Sequence, residues 1–162
     1  MIKTKFNRYF SNVVKFSKNH IWLKFDTKSH IGKLGLTHFG QTDIGEIQHI
    51  ELPNLEKNFQ TNCLISRLET TKHVFNFLAP VPVKIISINK DIINDPRNIN
   101  ANAEETFIFE VQILDERQLI NLLTDNEYIE YLQKMKLNKN LNKSPNRQSN
   151  DLEENNINDN NN

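Results

Sequence analysis

From residue 20 to residue 113 the chain is cut into short runs in which apolar side chains alternate with polar ones, and turn residues separate the runs. This pattern limits the fold more than any other feature, because a period of two puts one face of an extended segment inside and the other in water. Residues 20–26 alternate, with Ile21, Leu23 and Phe25 on one side. Residues 31–36 form a second run, and residues 47–52 a third that ends at Pro53-Asn54, a turn signal. Residues 63–69 and 73–78 follow with only Thr70, Thr71 and Lys72 between them. After Ala79-Pro80-Val81-Pro82 come residues 83–88. The clearest strand is residues 106–113, where Phe107, Phe109, Val111 and Ile113 share a face. Many short strands with such punctuation predict a mainly β fold, a sandwich or a barrel.

Two segments depart from this period. Residues 37–44 predict a short helix followed by Gly45. Asp115 with Gln118, and then Thr124 with Glu127, repeat the pairing of a capping residue with a partner three positions on. Apolar stripes follow each pair, Leu119, Leu122 and Leu123 after the first and Tyr128, Ile129, Tyr131 and Leu132 after the second. The spacing predicts two short C-terminal helices with a break near Asp125-Asn126.

The ends differ from the middle. Lys3, Lys5, Arg8, Lys15 and Lys18 precede the first acid, Asp26, while Ile2, Phe6, Tyr9 or Phe10, and Val13 recur at helical spacing. Residues 1–19 therefore read as a mitochondrial transit peptide, with a cleavage motif at Arg8-Tyr9-Phe10-Ser11 that would be cut after Phe10, and the expected location is the mitochondrial matrix. Past Leu137 the chain is mostly Asn with Lys, Asp and Glu, and residues 135–162 are expected to be a disordered tail. Residues 20–134 then make one small domain. The formal net charge of +0 gives no bulk attraction to nucleic acid or an anionic membrane, and neither is expected as a partner. The lone cysteine, Cys63, rules out an internal disulfide framework and, in the apolar run Cys63-Leu64-Ile65, is expected to be buried.

Patterns that carry catalysis or metal binding are absent. His20, His30, His38, His49 and His73 show no close pairing of the zinc-site kind, and four glycines make no phosphate loop. Glu46, Glu51 and Glu56 read as solvated charges. One arrangement remains. Leu68-Glu69-Thr70-Thr71-Lys72-His73 sets a lysine between two strands joined by very few residues, so its amine projects from a hairpin tip on a rigid base. That geometry suits an enzyme that must acylate one lysine among many. A lysine at a turn is more often a plain solubilising charge.

The order of short motifs separates these readings. His20-Ile21-Trp22 is similar to the opening His-Glu-Trp strand of the glycine-cleavage H proteins. The stretch from Gly35-Leu36-Thr37 through Gln41 to Asp43-Ile44-Gly45-Glu46-Ile47 resembles their Gly-Ile-Thr, Ala-Gln, Leu-Gly-Asp-Ile segment, and Ile50-Glu51-Leu52-Pro53 their Val-Glu-Leu-Pro. Glu69-Thr70-Thr71-Lys72 falls where that family has Glu-Ser-Val-Lys, whose lysine is lipoylated, and Leu78-Ala79-Pro80-Val81 follows as Tyr-Ala-Pro-Val does. Asp95-Pro96 and Ile99-Asn100 fit a later loop, and Tyr128-Ile129-Glu130-Tyr131-Leu132 the terminal helix. The resemblance spans residues 20–132. His73 replaces a usual alanine, Arg67 an apolar residue, and Val83 a turn glycine. Asn102-Ala103-Glu104-Glu105-Thr106 replaces a glycine-rich loop, with Phe107 in a tryptophan's place.

The resemblance implies a barrel-sandwich hybrid of the lipoyl- and biotinyl-carrier kind, monomeric and without a catalytic or metal site. It implies lipoate covalently bound to Lys72, with Glu69, Thr70 and Thr71 read by the lipoate ligase or octanoyltransferase. Glycine decarboxylase would load the arm with an aminomethyl group, an aminomethyltransferase would unload it to one-carbon metabolism, and dihydrolipoamide dehydrogenase would reoxidise the dithiol. Glu69 is as readily a cross-strand charge partner of Arg67 or a lysine. Trp22, Phe75, Phe77, Phe107 and Phe109 are expected in the core. Two other readings stay open: a lipoyl donor or relay for 2-oxoacid dehydrogenases, and an unmodified β-rich interaction module.

Overall fold

Every strand pairing is antiparallel, in a computed structural model that describes residues 12–55 and 57–141. The strands are β1 (Asn12–Phe16), β2 (Ile21–Asp26), β3 (Ile31–Leu36), β4 (Ile47–Ile50), β5 (Asn58–Phe59), β6 (Leu64–Thr70), β7 (Val74–Leu78), β8 (Val83–Ile88) and β9 (Phe109–Ile113). The helices are α1 (His38–Ile44), α2 (Lys90–Asn94), α3 (Arg97–Ala101) and α4 (Asp125–Leu141), with a 3₁₀ turn at Glu116–Asn121. One sheet has six strands in the order β1-β2-β3-β9-β8-β5, and the other has three in the order β4-β6-β7. The fold is mainly β, as the alternating runs predict.

The alternation explains the core. Ile21, Leu23 and Phe25 of β2, Leu34 and Leu36 of β3, and Phe109, Val111 and Ile113 of β9 face inward from the larger sheet. Ile47 and Ile50, Leu68, and Phe77 face them from the smaller one. Phe77 and Phe109 meet edge to face across the gap with ring centroids 5.3 Å apart. This inner layer, full of large side chains at no exposure, supplies most of the burial that stabilises the fold. Trp22 lies flat over Gly35 on the neighbouring strand, where a Cβ would stand 2.2 Å from the indole, and its Nε1 donates to Ala103 O at 3.0 Å.

Several expectations need correction. The folded region starts before residue 20: β1 pairs with β2 from Trp22 to Asp26, and Phe16 stacks on Tyr128 with centroids 4.8 Å apart. It also runs past residue 134, because α4 continues to Leu141. Residues 1–11 of the basic segment and 142–162 of the Asn-rich tail lie outside the described residues. Cys63 is exposed, because β6 begins only at Leu64 and Cys63 still belongs to the turn in which its amide donates to Gln60 O. Phe107 is only partly buried and lies outside the core, since the sheet starts at Phe109; the Lys33 ammonium sits 4.4 Å above its ring. Phe75 is likewise only partly buried, packed at the margin of the core.

The elements that position the hairpin follow from local chemistry. Thr37 caps α1 by accepting Gly40 N at 3.0 Å. Thr124 and Glu127 form the reciprocal cap of α4, with Glu127 Oε2 accepting Thr124 N at 2.8 Å and Thr124 Oγ1 accepting Glu127 N at 3.4 Å. Tyr128, buried on the inner stripe of α4, ties that helix to α1: its hydroxyl is 2.8 Å from both His20 Nδ1 and Thr37 Oγ1.

Candidate functional site

The β6–β7 hairpin carries Lys72 at its tip, as the narrow gap between the two apolar runs predicts. Glu69 faces Val74 across the pair, and Thr70 closes the turn by donating its N–H to His73 O at 3.1 Å. The Thr70 hydroxyl braces the tip from inside. It accepts Lys72 N at 3.3 Å and His73 N at 3.2 Å, and it lies 2.7 Å from both His73 O and Ile44 O, either of which can take its proton. Thr71 ties the tip to the segment between α1 and β4: its N–H donates to Glu46 O at 2.9 Å, and its hydroxyl accepts Glu46 N at 3.2 Å. The two threonines therefore do more than stiffen the chain by β-branching. They fasten the backbone on both sides of the lysine.

Lys72 itself is exposed. Its Nζ donates to Thr42 O at 3.3 Å and Asp43 O at 3.0 Å, carbonyls of the last turn of α1. A cation at a helix C-terminus is favoured there, but an exposed contact of this kind is worth only about 0.3–1 kcal/mol. Such a contact orients the amine without locking it, and no carboxylate among the described residues pairs with it. Directly beneath the stem lies Gly45, at φ 87° and ψ −168°, where a Cβ would stand 2.7 Å from Thr71 Oγ1 and 3.2 Å from Lys72 Cγ. Only glycine fits under the hairpin. The sequence marked Gly45 by its place after a short helix and by the Ile44-Gly45-Glu46-Ile47 match, but neither gave it this role under the hairpin.

Glu69 stands exposed beside this tip. Its expected charge pairing with Arg67 is not made, because Arg67 bonds instead to Glu51, just past the end of β4, at 2.9 Å. Glu69 is thereby left open to a partner, next to the lysine. Arg67 and Glu51 are each more than half exposed, so their pair adds little stability. Asn100, which carried no expected role, reaches the same region from α3 and bonds to Ile47.

A lone exposed amine on a braced hairpin, in a chain whose residues 14–135 match the family model described as Glycine cleavage H-protein, decides the assignment. The chain belongs to the glycine-cleavage H-protein family. It is similar to the glycine cleavage system H protein of Endomicrobium trichonymphae, 29% identical over 116 residues that cover 71% of this chain and 92% of that one. It is also similar to the Staphylococcus epidermidis H protein, 28% identical over 119 residues, 73% of this chain and 93% of the other. Among solved structures, an H protein from Mycobacterium marinum shares the fold with a TM-score of 0.65 at 20% identity, over 77% of this chain and 98% of that one. The lipoyl-carrier role is general to the H-protein family, which serves the glycine cleavage system as a carrier component and not as a catalyst. The relatives named are bacterial and say nothing of a mitochondrial address.

Proposed function

We propose that this chain is the lipoyl-carrying shuttle of a glycine cleavage system, with lipoate joined by an amide to Lys72. The observation that carries the reading is the pairing of an exposed, weakly held Nζ with a backbone fastened on both sides by Thr70 and Thr71. An acylating enzyme needs both a free amine and a peptide held in one conformation. The site fits the group: the tip is open, the amine makes no ion pair among the described residues, and acylation gives up only two exposed contacts to helix-end carbonyls. Once bound, lipoate supplies a dithiolane that can take up and hand on a one-carbon amine unit.

Each residue has a defined part. Lys72 is the attachment point and has no general-base or nucleophilic role in glycine cleavage. Glu69, exposed and unpaired with Arg67, is offered together with Thr70 and Thr71 to the lipoate ligase or octanoyltransferase. Forming the amide removes the ammonium charge, so the tip can approach an apolar pocket without burying a cation. Glycine decarboxylase, the aminomethyltransferase and dihydrolipoamide dehydrogenase are the enzymes the tip visits in turn, and tethering raises the effective concentration of the carried group at each. We also infer a mitochondrial matrix location from the basic, acid-free segment at residues 1–19. Cutting after Phe10 leaves β1 intact, whereas removing all of residues 1–19 would strip a strand that pairs with β2.

Intact mass tests the attachment. Full-length protein incubated with a lipoate ligase, lipoate and ATP gains one lipoyl group, and Lys72→Arg gains none. A wild-type chain that stays unmodified, or an arginine variant that is still modified, overturns the reading. Lipoylated protein then supports glycine–bicarbonate exchange with glycine decarboxylase; a lipoylated chain that supports none is a relay for other lipoyl enzymes.

A further inference from the structure

Strand β4 has β6 along one edge and, among the described residues, no strand along the other. At Ile47 that open edge is filled by a side chain. Asn100 Oδ1, from α3, accepts Ile47 N at 2.9 Å, and Asn100 Nδ2 donates to Ile47 O at 3.2 Å. One primary amide thus makes the two bonds that a neighbouring strand residue would make in an antiparallel ladder. Asn100 Oδ1 also takes Gln41 Nε2 at 3.4 Å, and that nitrogen lies 3.3 Å from Gly45 O.

The position of this splint matters more than its strength. Ile47 pairs with Thr70, the last residue of β6 before the tip. The segment just before it supplies the outside supports of the two tip threonines: Ile44 O for the Thr70 hydroxyl, and Glu46 O and N for Thr71. Helix α3 does not depend on the amide for its own anchoring, since the adjacent Ile99 is wholly buried in the core. The hydrogen-bonding capacity of Asn100 goes instead to β4 and to Gln41.

We propose that Asn100, seconded by Gln41, is a positioning residue for Lys72: it clamps the free edge of β4 at Ile47 and so fixes the 44–46 segment on which the lysine hairpin rests. One consequence rests on the lipoyl-attachment reading, namely that the acyl acceptor reaches its modifying enzyme in a single orientation. The other, that the tip loosens when the splint is cut, does not.

The test uses the full chain with Asn100→Ala, Asn100→Asp, and a control, Val111→Ala, in the core strand β9. Amide hydrogen exchange is followed at Glu46 and Thr71, and the KM and kcat of a lipoate ligase for each protein are measured alongside melting temperature. Losing both bonds to Ile47 is expected to raise exchange at Glu46 and Thr71, and the ligase KM, each by about tenfold in Asn100→Ala, with kcat changed by less than about twofold. Asn100→Asp keeps the acceptor for Ile47 N but cannot donate to Ile47 O, and falls between wild type and Asn100→Ala. Val111→Ala melts earlier but leaves both readouts near wild type. Unchanged exchange at Glu46 and Thr71 in Asn100→Ala, or an equal rise in Val111→Ala, overturns the splint. If the wild-type chain takes no lipoyl group, the carrier reading fails instead, and hydrogen exchange alone decides the role of Asn100.

Discussion

Gly45 and Lys72 form a matched pair at the residue scale. The backbone at φ 87° and ψ −168° lies in a region that is nearly exclusive to glycine, so any side chain there costs on the order of 1–3 kcal/mol before contacts are counted. A Cβ would also press on Thr71 Oγ1 at 2.7 Å and on the stem of Lys72. Gly45→Ala is therefore expected to lower the urea midpoint and also to displace the hairpin tip, slowing lipoyl uptake by Lys72 in the ligase assay. An alanine variant with a normal midpoint and normal uptake would show that the tip does not rest on residue 45. The tip position of Lys72 was legible from its sequence neighbours because a two-strand gap of three residues leaves little room for anything but a tip, whereas a role for that lysine came only with the family resemblance. Gly45, Gln41 and Asn100 stood in the sequence only as matching positions without a role, because each matters through a partner brought near by the sheet rather than by the chain. The exposure of Cys63 was missed for a similar reason: an apolar neighbourhood in sequence marks burial only once the strand has begun.

At the scale of elements, the strand runs were legible wherever alternation lasted five residues or more, as in β2, β3, β6, β7 and β8. The capping pairs at Asp115 and Thr124 placed the 3₁₀ turn and α4. Helices α2 and α3, of five residues each, are too short to show a helical period, and β1 was hidden because its valines fit a basic amphipathic segment equally well. Helix α4 allows a prediction that weighs two contacts. Its inner stripe carries Tyr128, bonded to His20 and Thr37, and its last turns carry Lys139, 3.5 Å from Asp43 with both side chains more than half exposed. An exposed ion pair contributes about 0–1 kcal/mol, whereas leaving partly buried polar partners unmatched costs about 1–3 kcal/mol. Tyr128→Phe is thus expected to lower the free energy of unfolding more than truncation after Lys136. Chemical denaturation of the two variants checks the order, and a truncation that proves the more damaging would mean that the end of α4 supports the fold through more than Lys139.

For the whole molecule, a net charge of +0 leaves no large self-repulsion to drive unfolding near neutrality, so pH dependence there falls to individual groups. Asp115, held down to about 2 by the Arg117 guanidinium, and Asp95 and Glu127, both lowered by hydrogen bonds, add stability above the ordinary carboxylate range that is lost only in acid. His20 acts at higher pH. Burial between α1 and α4 pushes its pKa below the ordinary 6.5, with Asp43 opposing that shift and Lys139 adding to it. A histidine whose folded pKa is depressed binds fewer protons in the folded state than in the unfolded one over the interval between the two values. Unfolding free energy therefore rises with pH across that interval: the full contribution is present above 6.5 and is lost as pH falls toward the folded value. Tyr128, pushed up to about 12 by burial, keeps its hydroxyl proton throughout, so only the His20 end of the bond they share takes part in this titration. Melting temperature measured from about pH 8 down to about pH 5 should fall through this window in the wild-type chain. The variant His20→Asn, chosen because asparagine tolerates the left-handed φ of 62° at this position, should flatten the slope while leaving the acid limb set by the carboxylates. An undiminished slope in that variant would assign the dependence to a different histidine, and would mean that the seam between α4 and α1 is not the part of the molecule that gives way first as protons are added.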